Sequence, residues 1–289
     1  MKLAVIGTGL LGSEIAIRLQ DRRFTVSAWN RTADKADALA SVGITPRATV
    51  AKALATSDAA LLLLSDAQAI RAVLWPNDPA ERPALDDRVI IQMGTIAPNE
   101  SRALGRDIEN AGGRYLEAPV LGSLPEARRG RLIVMAAGEL ALYERCLPIF
   151  EALSEKPQRI GEIGQGAALK LAMNQLIAGL TATFAYSLGL IRNEGIDVEQ
   201  FMGLLRGSAL YAPTFDKKLD KYLAHDYGNA NFPLKHLLKD VGLFRKVAEH
   251  STIDTAPIDA LEAVLARAVR NGLGDLDYSA IYEALIEGR

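Results

Sequence analysis

M-K-L-A-V-I-G-T-G-L-L-G-S-E-I-A-I-R-L-Q, residues 1–20, sets a short β-prone apolar run, a glycine-rich turn and a helically periodic segment one after another. Strand, glycine turn and helix in that order are the context a dinucleotide-binding turn needs. Gly7 allows the tight turn, Gly9 lets backbone approach a pyrophosphate, and Gly12 lets the helix pack close to the strand. The phosphates would then sit at the helix N-terminus. A glycine-rich turn alone often means only a turn; its place between a strand and a helix favours the dinucleotide. Thr8, Leu10 and Leu11 complete the turn and count with the glycines as cofactor-contacting candidates.

Working outward, the next strand-like run, 25–29, ends in Asn30-Arg31-Thr32. An NAD-binding fold places an acid near this spacing for the ribose 2'-hydroxyl, and none is present. A guanidinium with amide and hydroxyl neighbours suits a 2'-phosphate, which favours NADP over NAD. A solvated loop arginine is the competing reading.

The α/β rhythm continues with helices expected at 35–42 and 50–56 and a buried parallel strand at 59–64. Ser65-Asp66 follows at a strand end, where doubly wound sheets bind ligands. Residues 75–83, rich in proline and acids, read as a loop. A strand at 89–93 runs into G-T-I-A-P, which puts Thr95 at another strand end, and a helix is expected over 99–111. Residues 115–118 lead into P-V-L-G-S at 119–123, and 131–137 reads as one more strand. Backbone N–H groups around Gly122 and Ser123 suit a small anion such as a carboxylate, with a plain turn as an equal competitor.

After residue 157 β-prone runs become few and helical patterns take over: 166–192, 198–207, 215–223, 234–250, 257–271 and 278–287. The organisation expected is a Rossmann NADP-binding domain over 1–162 and an all-α domain over 163–289 that includes the long helix at 166–192. That helix is apolar on nearly every side of its wheel, which predicts burial all round. Lys170 and Asn174 interrupt it, four residues apart and so on one face. A buried ammonium costs several kcal/mol unless paired, on the order of 2–7 for a polar group alone, so proton transfer is the reading preferred here. A lysine snorkelling its head group to the surface is the alternative.

Bulk properties narrow the function. With 289 residues, 49% of them hydrophobic, the chain can build two ordinary domains. A formal net charge of −2 supplies no basic field for nucleic acid or an anionic membrane, which leaves small molecules as partners. Cys146 is the single cysteine, fitting a reducing, cytoplasmic setting. The N-terminal apolar run is too short for a signal peptide, and Lys170, Asn174 and Gln175 argue against a membrane span. His225, His236 and His250 lack metal-site spacing and carboxylate company, so no metal is expected. Neither a G-x-S-x-G elbow nor a P-loop is present.

G-T-G-L-L-G at Gly7, N-R-T at Asn30, L-E-A-P-V-L-G-S at Leu116, G-Q-G-A-A-L-K-L-A-M-N at Gly164 and F-P-L-K-H-L-L-K-D at Phe232 together resemble the β-hydroxyacid dehydrogenase family, which includes 3-hydroxyisobutyrate dehydrogenases. The resemblance runs from end to end. The last segment, with G-L-G-D-L-D-Y-S-A from Gly272, looks most like the glyoxylate and succinic semialdehyde reductase branch. It implies that Lys170 is the catalytic lysine, that Asn174 assists it, and that Thr95 and Lys239 contact the cofactor, with Ser65 at a neighbouring strand end. Asp240 occupies the family's aspartate position near the active site, and Phe232 opens the same substrate-side motif. It also implies a homodimer or homotetramer assembled around the long helix.

Leu121 departs from the pattern. The family commonly has serine there, helping to hold a substrate carboxylate, and leucine offers no donor. Either Ser123 and neighbouring N–H groups take over, or the substrate is less polar on that side. The expected activity is NADPH-dependent interconversion of a small aldehyde or keto acid and its hydroxyacid. An imine reductase and a non-catalytic NADP-binding module are the alternatives.

Overall fold

A computed structural model describes residues 1–286; Glu287, the end of the last expected helix, lies outside the described residues. The chain divides into two compact units, Met1–Lys170 and from Leu171 onward.

In the first unit the elements run β1 (Lys2–Ile6), α1 (Leu10–Asp21), β2 (Thr25–Trp29), α2 (Ala33–Asp37), β3 (Thr45–Pro46), α3 (Val50–Ala55), β4 (Ala59–Leu62), α4 (Ala67–Leu74), β5 (Val89–Gln92), α5 (Pro98–Asn110), β6 (Arg114–Glu117), β7 (Val120–Leu121), α6 (Leu124–Arg129), β8 (Ile133–Ala137), α7 (Leu140–Leu153) and β9 (Gln158–Gly161). Strand order is β3-β2-β1-β4-β5-β6-β8-β7, with β9 beside β8. The strands from β3 to β6 are parallel, β8 runs antiparallel to β6 and β7, and β9 is parallel to β8. This is a Rossmann sheet with a mixed edge.

Alternation along β1 shows why the sheet is covered on both faces. Leu3 and Val5 enter one core with Ile15, Leu19 and Phe150 of α1 and α7. Ala4 and Ile6 enter the opposite core with Leu54, Ile70 and Leu104 of α3, α4 and α5. A strand buried on both faces must be apolar at every position, which is how β1 and β4 read.

Several expectations shift locally. The helix expected over 35–42 is one α-turn followed by a 3-10 segment, Ala38–Val42, closed by Gly43 in the left-handed conformation. Within the expected loop at 75–83, Pro79–Glu81 forms a single 3-10 turn. Helices α4, α6 and α7 and the short strands β3, β7 and β9 are additions to the expected elements; Pro148 inside α7 interrupts its pattern.

α8 (Gln165–Asn193) begins in the first unit and continues into the second. It is followed by α9 (Val198–Arg206), α10 (Pro213–Ala224), α11 (Leu234–Ala248), α12 (Ala256–Ala268) and α13 (Ile281–Ile286). Phe184 of α8 centres the second core, its ring 4.6 Å from that of Phe215 and 5.7 Å from that of Tyr222. At Gly189 an added Cβ would lie 2.2 Å from Ile286 Cδ1, so α13 packs its Ile286 side chain directly over α8 at this glycine. Lys218 Nζ and the Asp277 carboxylate form a buried pair, with both oxygens at 2.7 Å, and the ammonium also lies 4.4 Å from the centre of the Tyr278 ring.

The expectation that the long helix is buried all round is corrected. Leu176, Leu180, Tyr186 and Leu190 form an exposed apolar stripe, Leu176 and Leu190 retaining 59% and 62% of their accessible surface. Composition on a helical wheel cannot separate a face buried in its own chain from an apolar face left at the surface. No helix among the described residues is long and apolar enough to cross a membrane.

Candidate active site

The parallel strands bring the connections after β1, β2, β4, β5 and β6 to one carboxyl edge, the place where open α/β sheets receive ligands. At its centre is the glycine turn. Gly7 has φ +103°, and an added Cβ would lie 2.4 Å from the Leu63 carbonyl oxygen. A Cβ at Gly12 would lie 1.9 Å from the Gly7 carbonyl oxygen, so α1 can start this close only on glycine. Gly9 differs: nothing in the protein lies within 4 Å of an added Cβ. Its smallness answers no packing need of the chain, as expected where a ligand's phosphates approach the backbone. Leu10, beside it, is exposed, and Leu11 packs against the first core.

Thr8 is buried, and its Oγ1 has no hydrogen-bond partner among the described residues. An unsatisfied buried hydroxyl in a glycine turn fits a polar ligand that completes it. Asn30 ties this turn to the next connection: its Oδ1 accepts from the Thr8 N–H at 3.1 Å and its Nδ2 donates to the Thr32 carbonyl at 3.0 Å. Arg31 between them is exposed, and no ion pair of its guanidinium occurs among the described residues. The turn and the loop residues therefore fit a dinucleotide.

Ser65, exposed after β4, donates its hydroxyl to Asp66 Oδ2 at 2.8 Å, while Asp66 Oδ1 caps α4 by accepting from the Ala69 N–H. Thr95 follows β5, half-buried. After β6 comes the two-residue strand β7, which ends at Leu121, and then Gly122 and Ser123. Ser123 donates both its N–H and its hydroxyl to Glu126 Oε2, each at 2.7 Å, so the anion at this turn is the chain's own carboxylate.

Glu117, at the end of β6, had drawn no functional expectation, since a single acid carries no periodic signature. Fully buried, its Oε1 accepts from the backbone N–H groups of Gly164 at 2.7 Å, Gly166 at 2.8 Å and Ala167 at 3.2 Å, and Oε2 accepts from Ser101 Oγ. The carboxylate thus holds the opening turn of α8, where free N–H groups and the helix dipole favour negative charge. Burial raises its pKa above the ordinary carboxyl value, while the four donors oppose that rise.

One turn later on α8 stands Lys170, buried with 9% of its surface exposed, and after one further turn Asn174, buried with 1%. Within the second unit Asn174 Nδ2 donates to Asp240 Oδ2 at 2.6 Å. Asp240 Oδ1 lies 2.8 Å from Lys239 Nζ, an ion pair whose angles are not those of a hydrogen bond. Phe232 stacks near-parallel with His236 and leans on Tyr278. Burial and the nearby Lys239 cation lower the pKa of His236. The structure thus gathers the cofactor candidates of the first unit and the 121–123 turn at one sheet edge, and separately gathers Asn174, Asp240 and the remaining cofactor candidate, Lys239, in the second unit. Among the described residues no cluster of His, Cys, Asp and Glu could hold a metal ion.

Comparison with known proteins adds to this geometry. A family profile for the NAD-binding domain of 6-phosphogluconate dehydrogenase matches residues 2–164, and one for the NAD-binding region of NADP-dependent 3-hydroxyisobutyrate dehydrogenase matches residues 164–285. Glyoxylate/succinic semialdehyde reductase 1 of Arabidopsis thaliana is 30% identical over 99% of this chain and 98% of its own. The cytokine-like nuclear factor N-PAC of Homo sapiens is 31% identical over 99% of this chain, which spans 51% of that protein. A crystal structure of 3-hydroxyisobutyrate dehydrogenase from Salmonella typhimurium superposes with a TM-score of 0.84 at 21% identity, covering 98% of this chain and 99% of that one.

Proposed function

Because the chain belongs to the β-hydroxyacid dehydrogenase family, related to 3-hydroxyisobutyrate dehydrogenase, we propose that it reduces a small aldehyde or keto acid to the corresponding alcohol with NADPH. Glyoxylate and succinic semialdehyde, named for the Arabidopsis relative, set the scale of substrate. The observation that carries the reading is the buried pair on α8, Lys170 followed by an Asn174 whose amide is fixed by Asp240.

The dinucleotide, when bound, supplies the hydride. Gly7 to Gly12 would take its pyrophosphate, Arg31 with Asn30 and Thr32 would take the 2'-phosphate, and Ser65 and Thr95 would line the rest of its site in the first unit. The 121–123 turn would receive the substrate's tail. As negative charge develops on the carbonyl oxygen, the Lys170 ammonium stabilises it and donates the proton; in the reverse direction the neutral amine removes it. Asn174 and Asp240 hold the geometry. The apolar stripe on α8 is read as the seat of a second copy, giving a homodimer or a larger homo-oligomer.

Lys170→Ala tests the reading. NADPH oxidation with a carbonyl panel should fall at least about 100-fold, the scale of general acid catalysis, while NADPH affinity measured by fluorescence stays within about threefold. Turnover retained by the variant would end it. A second reading, an NADP-binding module without turnover, draws on the relative that bears the name of a nuclear factor. A wild-type protein that binds NADPH and reduces nothing on the panel would favour it. The third, imine reduction, is separated by assaying cyclic imines beside the carbonyls.

A further inference from the structure

A helix is ordinarily capped by the residue just before its first turn. At α8 that residue is Gly164, whose carbonyl accepts the first helical bond, from the Ala168 N–H at 3.0 Å, and which has no side chain to offer. The cap comes instead from Glu117, 47 residues earlier on β6. Its Oε1 accepts from the N–H groups of Gly166 and Ala167, the two that a local cap would take, and from that of Gly164.

The carboxylate is fixed in turn. Ser101 Oγ of α5 gives its one hydrogen to Oε2, so the Tyr115 hydroxyl of β6 donates to Ser101 Oγ, at 2.8 Å. The helix start also has little clearance: a Cβ added at Gly166 would lie 2.6 Å from the Met135 carbonyl oxygen of β8 and 3.1 Å from Glu117 Oε1. Strands β6 and β8 and helix α5 thus set both the axial position and the rotation of the first turn of α8. Capping alone is ordinarily met by a short polar side chain in the preceding loop. A cap drawn from the sheet adds registration between sheet and helix.

Lys170 belongs to the same unit and lies four residues after Gly166, one turn on and on the same side of the helix. The registration set at Gly166 therefore carries to the lysine backbone. A proton donor depends on such placement, since a displacement of about 1 Å can cost roughly 100-fold in rate.

We propose that Glu117 is a positioning residue for the reaction: by clamping the first turn of α8 to the sheet, it fixes where Lys170 presents its ammonium. The inference rests on the reading of Lys170 as the proton donor and assigns that group its support.

Glu117→Gln keeps the shape but replaces a charged acceptor with a neutral one, and bonds to charged acceptors are about twice as strong. For the carbonyl compound the wild type reduces best, kcat should fall at least about tenfold, while its KM and NADPH affinity stay within about threefold. In a Lys170→Ala background, read by single-turnover NADPH oxidation, the same change should cost less than about threefold, because a group that acts through the lysine then has nothing to act on. An unchanged kcat in Glu117→Gln, or an equal loss with and without the lysine, would overturn the proposal. Should Glu117→Gln fail to fold, Ser101→Ala, which releases Oε2 and leaves the three backbone bonds, enters the same cycle with an expected loss of at least about threefold. No loss there overturns it equally. Turnover retained by Lys170→Ala ends the broader reading and this one with it; turnover lost in Lys170→Ala beside wild-type kcat in Glu117→Gln ends this one alone.

Discussion

Asn174 donates its amide to the Asp240 carboxylate at 2.6 Å, with both residues buried. An ionised carboxylate accepts only, so Asp240 fixes which end of the amide is nitrogen and turns the amide oxygen away from itself. Asp240→Asn removes that constraint, because either amide orientation then finds a partner. Turnover should fall about 10- to 100-fold, the cost of a misplaced positioning group, with NADPH affinity little changed. Steady-state kinetics beside fluorescence titration of NADPH measures both.

The two glycines at the phosphate turn should respond differently to one added methyl. Gly12→Ala drives Cβ into the Gly7 carbonyl, so both thermal stability and cofactor binding should suffer. Gly9→Ala meets nothing in the protein; Tm should stay within about 2 °C, corresponding to about 0.5–1 kcal/mol. NADPH affinity should nevertheless drop at least about tenfold, roughly 1.4 kcal/mol. Calorimetry and ligand titration on the same samples decide this, and a Gly9→Ala protein with native affinity would remove the turn from the cofactor site.

Arg31 is exposed and Asn30 holds the loop around it, so the charge can be reversed without disturbing the core. Arg31→Asp should weaken NADPH about 10- to 100-fold, the worth of a charge-assisted pair of about 1.5–3 kcal/mol. NADH, which lacks the 2'-phosphate, should change by less than about threefold. Equal losses for both cofactors would mean that the arginine does not read the ribose.

Glu117 gives a pH signature. Burial raises its folded-state pKa, so the native protein holds this proton more tightly than the unfolded chain does. Its contribution to stability is therefore most favourable at low pH and declines as pH rises from the unfolded carboxyl value toward the raised folded one. Glu117→Gln does not titrate. Urea unfolding of wild type and variant from pH 4 to 8 should show the wild type losing ground relative to the variant across that window, then levelling. Glu117→Ala, which leaves the N–H groups of Gly164, Gly166 and Ala167 without an acceptor, should cost at least about 2–3 kcal/mol at any pH in the range.

Local sequence pattern carried the sheet well where burial demanded it. β1 and β2 fall on the expected residues because β1 is apolar on both faces, β2 carries β-prone Thr25, Val26 and Trp29, and each is bounded by glycine or polar turns. α7 did not stand out because Pro148 breaks its run, and α6 because six residues are too few to show a period. The tight glycine turn and the placing of Lys170 and Asn174 on one helix were legible from type and spacing. Glu126 was legible in principle, since Ser123 and Glu126 stand three apart in the pattern of a helix-capping pair. Glu117 was not, because its partners at 164–167 are distant in sequence and are backbone groups that no residue type announces. The exposed stripe on α8 escaped for a different reason: leucine at the surface and leucine in a core look alike in a sequence.

Because α8 is a single helix of 29 residues, seated at its start by Glu117, it works as a ruler about 43 Å long on which Lys170 and Asn174 are two adjacent marks. One residue inserted between those marks would swing the amide roughly 100° around the axis and off the lysine's side. The proposed catalytic pair therefore depends on the gap of four being kept.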